Sequence, residues 1–253
     1  MVNYRTEEIS MELIIVKDYE EASDLAFKHM VEVVKNNPCA NLGLATGSTP
    51  IGLYKRMVED HKVNGTSYKD IKTFNLDEYF GLDPQHDQSY FYFMNKHLFS
   101  GIDVDLANTH VPSGVGDIQE NCDNYNQLLA ENPIDIQLLG IGGNGHIGFN
   151  EPGTQFDSVT HYIELQQRTR EDNARLFFNG DLDAVPTHAI TMGIANILAA
   201  KKVLLIACGE NKADAIKVMV EGEPTVDLPA SALKNHPNYV CIVDEAAASK
   251  LSK

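Results

Sequence analysis

The sequence predicts an α/β protein, a three-layer sandwich with a mostly parallel central sheet. Two observations carry that expectation. Short apolar runs alternate with stretches of helical period almost from end to end, and the runs are continuously apolar, as suits parallel strands covered on both faces. The 253 residues also contain no internal repeat, low-complexity tract or Pro/Gly-rich linker that would divide them. One domain with an ample core is therefore expected.

The elements follow in order. Met11–Val16 (MELIIV) reads as a strand, and 20–35 as a helix with Ala22, Leu25, Ala26, Met30 and Val33 on one face. A strand is expected at 41–45 (NLGLA), then the turn TGSTP and a helix through Leu53, Tyr54 and Met57. Further strands are expected at 71–76 (IKTFNL), 135–141 (DIQLLGI), 202–208 (KVLLIAC) and 239–243 (YVCIV). Helices fit 89–99, 117–131, 169–178, 193–201 and 211–221. The order is Rossmann-like. Residues 1–10 (MVNYRTEEIS) have no apolar signal core and read as a leader or non-native extension, leaving a single domain over 11–253.

Charge and cysteines narrow the function. With 36 acidic against 20 basic residues the formal charge is −16, which disfavours nucleic acid and anionic membrane as partners. A small phosphorylated molecule remains compatible where basic groups gather locally. No apolar stretch approaches the roughly 20 residues of a membrane span. The cysteines at 39, 122, 208 and 241 show no C-x-x-C spacing, so reduced thiols and a cytoplasmic location are expected.

In open α/β sheets, ligands bind beyond the carboxyl ends of the strands. The polar clusters fall there: Thr46-Gly47-Ser48-Thr49, Asp77-Glu78, the run GGNGHIGFNEP over 142–152, and Gly209-Glu210-Asn211-Lys212. Gly47, Ser48 and Thr49 lead into a helix whose free N–H groups suit a phosphate. Spacing alone equally allows Ser48 or Thr49 to cap that helix, with Pro50 in its first turn. Asp77 and Glu78 are adjacent in extended chain and point to opposite faces, so one of them at most faces a shared cleft.

Glycines at 140, 142 and 145 match a dinucleotide fingerprint, with Glu164 at a suitable distance for a ribose contact. That fingerprint should open a helix, yet FNEPG over 149–153 cannot be a helix interior, and Glu164 lies inside the run 162–165. Neither a nicotinamide nor a flavin cofactor is expected. His146 and Glu151 lack a second His at helical spacing and any nearby Cys, so no metal is expected either. They remain a candidate proton-transfer pair on a glycine-shaped loop. Lys212 opens a helix, where its charge opposes the dipole unless it faces an anion. Arg168, Arg170 and Arg175 form a basic cluster whose spacing does not say which of them faces a ligand.

Taken together, LATGSTPIGLY, TFNLDEYFGL, LLGIGGNGHIGFNEPG, NARLFF and GENKA resemble the glucosamine-6-phosphate deaminase family across nearly the whole chain from Met11 onward. The related 6-phosphogluconolactonases typically carry an Arg after the Asp-Glu pair and D-G-H in the glycine loop. Here Tyr79 and Asn144-Gly145-His146 stand in those places. The resemblance implies conversion of glucosamine 6-phosphate and water to fructose 6-phosphate and ammonia, with no cofactor. It implies Asp77 as the base between C2 and C1, and His146 as the ring-opening acid/base, oriented by Glu151 and assisted by Asn144. It implies Gly47, Ser48, Thr49, Arg175 and Lys212 as the phosphate site. Longer family members carry an acidic residue in place of Asn144 and basic residues, for an activator site, in place of His161 and Ile163. Allosteric activation is therefore not expected, and monomer and homo-oligomer both stay open.

Overall fold

The computed structural model describes residues 2–5 and 11–252. Strand β1 (Val2–Arg5) precedes β2 (Met11–Val16), α1 (Tyr19–Asn36), β3 (Asn41–Leu44), α2 (Ile51–Asn64) and β4 (Lys72–Asn75). Next come β5 (Asp77–Tyr79), α3 (Tyr90–His97), β6 (Thr109–His110), α4 (Ile118–Glu131) and β7 (Ile136–Leu139). The chain continues through β8 (His161–Glu164), α5 (Gln167–Phe177), β9 (His188–Thr191) and α6 (Ile194–Leu198). It ends with β10 (Val203–Ala207), α7 (Ala213–Glu221) and β11 (Tyr239–Asp244). The expected extension over 1–10 falls on residues of which only β1 is described, paired antiparallel with β2.

Eight strands form the central sheet in the order β1-β2-β11-β10-β7-β3-β4-β6. Every pair except β1·β2 is parallel. All residues of β7, β10 and β11 are buried, so both faces of the sheet are covered and three layers result. Helix α1 shows why the local sequence folds as it does. Asp18 caps it through the amides of Glu20 and Glu21, and Ala22, Ala26, Met30 and Val34 carry its buried stripe.

From β3 the sheet grows one way through β4 to β6; from β7 it grows the other way through β10 to β11. The direction of winding therefore reverses between β3 and β7. The loops leaving these two neighbouring strands diverge and leave a crevice. They are the Gly-Ser-Thr loop and the glycine-rich loop.

One part of the architecture departs from expectation. Asp77-Glu78 does not end the third strand. After Leu76 the chain enters a second, antiparallel sheet of three strands, β5-β9-β8. It has its own small core of Tyr79, Phe149, Leu165, Ala174, Phe178, Val185 and Ala189. This core clamps α5 and the end of the glycine loop beside the crevice.

Candidate active site

The crevice is lined by Gly47, Ser48 and Thr49 after β3, by Asp77 on β5, and by Gly142, His146 and Gly148 of the loop after β7. Arg175 of α5 and Lys212 ahead of α7 complete it. Seven of the nine residues expected in the site, Gly47, Ser48, Thr49, Asp77, His146, Arg175 and Lys212, thus line one cleft. Glu151 and Asn144 stand behind the imidazole.

The glycine loop is built to aim that imidazole. Residues 140–153 form turns and no helix, so the glycine run does not open a helix as a dinucleotide fingerprint would. The Gly142 amide donates to the His146 carbonyl at 2.9 Å and the Gly145 amide to the Gly142 carbonyl at 3.0 Å, closing the loop on itself. A Cβ on Gly142 would lie 2.2–2.5 Å from three atoms of the His146 ring, so only glycine leaves the ring its place. Gly148, at φ +58°, brings the backbone against the base: a Cβ there would sit 2.9 Å from Thr191 Oγ1 and 3.5 Å from Asp77 Oδ2.

Glu151 returns beneath the imidazole, as expected. Its Oε2 lies 3.6 Å from His146 Nδ1, an ion-pair distance and too long for a hydrogen bond. Asn144 Nδ2 donates to the same oxygen at 2.8 Å, and the Thr169 hydroxyl donates to Oε1. Burial pushes the Glu151 carboxyl up, but His146, Thr169 and Asn144 together hold it below the usual range. Asn144 therefore contacts Glu151 and not the imidazole. Among the described residues its Oδ1 accepts the His146 backbone amide alone, at 3.2 Å, and no hydrogen bond joins Asn144 to the ring.

Across the cleft, Asp77 and Glu78 separate as strand alternation requires. Asp77 faces the cavity; Glu78 turns to the start of α3. Both are buried. Burial pushes the Asp77 carboxyl up to about 8, and the charge of Glu78 adds to the rise. A carboxylate raised to this range is a base matched to neutral pH.

The opposite end is more open. Pro50 takes the cap position of α2 and no side chain caps the helix, so Ser48 and Thr49 keep their hydroxyls for the cleft. The Tyr19 hydroxyl braces the loop, reaching the Ser48 and Thr49 carbonyls at 3.1 and 3.0 Å and accepting the Gly52 amide at 2.8 Å. Lys212 sits one residue outside α7, as its cap residue, although the sequence predicts that helix from 211. Burial lowers its proton affinity, Asp172 opposes that shift, and Arg168 reinforces it.

The three arginines separate by role. Arg170 donates to the Leu182 and Val185 carbonyls and is structural. Arg168 lies against the glycine loop, its Nη2 3.3 Å from where a Gly143 Cβ would be. Arg175 lines the cleft, paired with Asp172 at 2.9 Å. Thr169, Tyr90, Asp172 and Asn173 also line the cleft and were not singled out from sequence. Asn173 opens the NARLFF segment; no motif marks Thr169, Tyr90 or Asp172, because the small second sheet brings their helices to the site.

Comparison with known proteins fits this arrangement. The pattern of the family described as glucosamine-6-phosphate isomerases/6-phosphogluconolactonase matches residues 19–241. A glucosamine-6-phosphate deaminase of Geobacillus sp. (strain WCH70) is 50% identical over 241 residues, covering 94% of this chain and 95% of that protein. One from Lactobacillus delbrueckii subsp. bulgaricus is 51% identical over 242 residues, covering 95% of this chain and all of its own. Among solved structures, a monomeric glucosamine-6-phosphate deaminase superposes with TM-score 0.91 at 43% identity, covering 94% of this chain and 98% of that one. A 6-phosphogluconolactonase from Trypanosoma cruzi, at TM-score 0.77 and 19% identity over 95% of this chain and 97% of its own, shares the fold.

Proposed function

The chain belongs to the family of glucosamine-6-phosphate isomerases and 6-phosphogluconolactonases, and from that premise we propose that it is a glucosamine-6-phosphate deaminase. It converts D-glucosamine 6-phosphate and water to D-fructose 6-phosphate and ammonia. The observation that carries the reading is one cleft with a proton-affine carboxylate, Asp77, on one side and a carboxylate-backed imidazole, His146, on another. Family resemblance and this geometry support the residue roles together.

The chemistry assigns each residue a task. His146, backed by Glu151, moves the proton that opens the sugar ring and frees C1 as an aldehyde. The aldehyde acidifies the C2 hydrogen. Asp77 removes that proton, leaving an enolamine, and returns it at C1, so that C2 becomes an imine. Water adds at C2, the C–N bond breaks, and ammonia leaves a C2 ketone. Gly47, Ser48, Thr49, Arg175 and Lys212 hold the 6-phosphate and so fix C1 and C2 against Asp77, a proximity contribution.

Among the described residues no helix is long and apolar enough to cross a membrane. The cytoplasm suits a sugar-phosphate substrate, and the likeness to a monomeric deaminase supports a monomer here. Sedimentation at micromolar concentration tests the second point. A coupled assay decides the function: wild-type protein should release ammonia and fructose 6-phosphate from glucosamine 6-phosphate. Hydrolysis of 6-phosphogluconolactone without ammonia release would place the chain in the other branch of its family.

A further inference from the structure

Beside Asp77 stands a second buried carboxylate that the reaction above does not use. Glu78 is 3% exposed, and its oxygens accept the amides of Tyr79 (2.8 Å), Tyr90 (3.0 and 2.9 Å) and Phe91 (3.1 Å). Tyr90 and Phe91 open α3, whose cap Ser89 accepts the Tyr92 amide. Glu78 is thus a carboxylate locked on the positive end of a helix, with its charge satisfied by main-chain donors. Asp77, 6% exposed, has no such support. Among the described residues no hydrogen bond reaches its carboxyl and no cation lies within 4 Å of it.

Two adjacent buried carboxyls cannot both ionise cheaply. The charge settles on the one with three N–H donors, and the other gains affinity for a proton. We propose that Glu78 is a positioning residue for the transfer between C2 and C1: its charge, fixed by the first amides of α3, acts on Asp77 from the adjoining place on β5. The proposal rests on the deaminase reading. It explains why a base meant to take a carbon-bound proton sits beside an anion and away from cations.

The directions of titration agree with the geometry. Asp77 is pushed up to about 8, by burial first and Glu78 second. Burial pushes Glu78 up to about 7, while its three amides pull it down. The other groups around Asp77 leave this pairing in control. Tyr79 of β5, Tyr90 of α3 and Tyr125 of α4 are phenols whose ionisation burial pushes far upward, so they stay neutral. His146 of the glycine loop, Asp172 and Arg175 of α5, and Lys212 line the same cleft; His146, Arg175 and Lys212 are not within ion-pair distance of Asp77.

The test is Glu78→Gln, which removes the charge and keeps the shape. The acid limb of its kcat/KM profile should move to lower pH by about one unit, and kcat on the plateau should fall roughly 3- to 10-fold because the base is weaker. Glu78→Asp keeps a charge and should retain most of the wild-type limb. Ser89→Ala loosens the same helix end without touching charge; it should lower Tm and leave the limb in place. A Glu78→Gln enzyme with lowered Tm and an unmoved limb overturns the proposal.

If Glu78→Gln does not fold, carbon-13 NMR of labelled aspartate carboxyls in the wild-type protein gives a second reading, independent of substrate. The resonance that disappears in Asp77→Asn should titrate near or above neutrality; titration in the ordinary carboxylate range overturns the proposal. Wild-type protein that releases no ammonia would instead refute the deaminase reading and leave the NMR result standing.

Discussion

The two ends of the cleft are built on opposite principles. At the acid–base end Glu151 has a side chain 4% exposed, held by Asn144 and Thr169, and Asp77 is equally withdrawn from water. At the anion end Arg175 is 66% exposed and its partner Asp172 49%. Charges at the first end act in a poorly screened medium and shift one another's proton affinities. The Arg175–Asp172 pair at the second is screened by water and salt and does little before an anion arrives. The difference assigns chemistry to one end and capture to the other, and substitutions should divide the same way.

The largest expected effect is at the buried end. Asp77→Asn should cut kcat by about 10²- to 10⁴-fold, since an amide cannot accept the C2 proton, and leave substrate binding nearly intact. The same change should alter stability with a definite sign. A carboxyl raised to about 8 in the folded state favours folding fully only below its unfolded value, and that contribution fades as pH rises through 8. Asp77→Asn should therefore melt higher than wild type at pH 8 and above, with the gain shrinking toward pH 5. Near-normal turnover, or a lower Tm at pH 9, would take Asp77 out of this role.

The exposed end should answer in KM. Lys212→Ala and Arg175→Ala should each raise KM on the order of tenfold, with a smaller loss in kcat where phosphate binding helps to orient C2. Lys212→Ala should be the more severe, because Lys212 is the better buried and, among the described residues, has no ion pair within 4 Å. Unphosphorylated glucosamine should be a very poor substrate. Variants that bind glucosamine 6-phosphate as tightly as wild type would move the anchor elsewhere.

Asp172 offers a finer test. Its carboxylate holds Arg175, so an arriving phosphate must compete with it. Asp172→Asn should lower KM and tighten competitive inhibition by inorganic phosphate roughly 2- to 5-fold, the scale of an exposed ion pair. The effect should shrink as salt is added. A raised KM would mean that Asp172 assists the substrate and does not compete with it.

The contrast also bears on what the sequence reveals. The parallel strands other than the two-residue β6 are legible because burial on both faces makes them largely apolar runs, as in VLLIA of β10. The small sheet is not. Strand β8 alternates partly buried and exposed residues, and a single residue, Leu76, separates β4 from β5, so the two read as a single strand running out. The proposed acid–base residues lie at or just past strand ends within legible motifs, His146 and Glu151 in the turns after β7 and Asp77 two residues beyond β4. Thr169 and Tyr90 were missed because they lie in α5 and α3, whose approach to the cleft depends on the second core. Among Arg168, Arg170 and Arg175 spacing could not choose; the neighbours met by each guanidinium separate them.

The smallest effect expected probes the join between chemistry and support. Asn144 donates to Glu151 Oε2 at 2.8 Å and leaves the imidazole untouched. Asn144→Asp replaces that donor with a second carboxylate at contact distance from the first. Two carboxyls this close share one proton through much of the pH range and titrate as a pair. While the proton is shared, the charge behind His146 equals that of the wild type and the rate should change little. Once the pair loses it, two negative charges favour the imidazolium, and His146 keeps its own proton to higher pH. The alkaline limb of the kcat/KM profile should therefore move upward, by a fraction of a unit, wherever ring opening limits the rate. Profiles from pH 5 to 10 at fixed ionic strength, run forward and with fructose 6-phosphate and ammonia, measure it, because ring opening in one direction is ring closure in the other. A limb that stays put or moves down in both directions would show that position 144 supports Glu151 sterically and has no hold on the charge of His146.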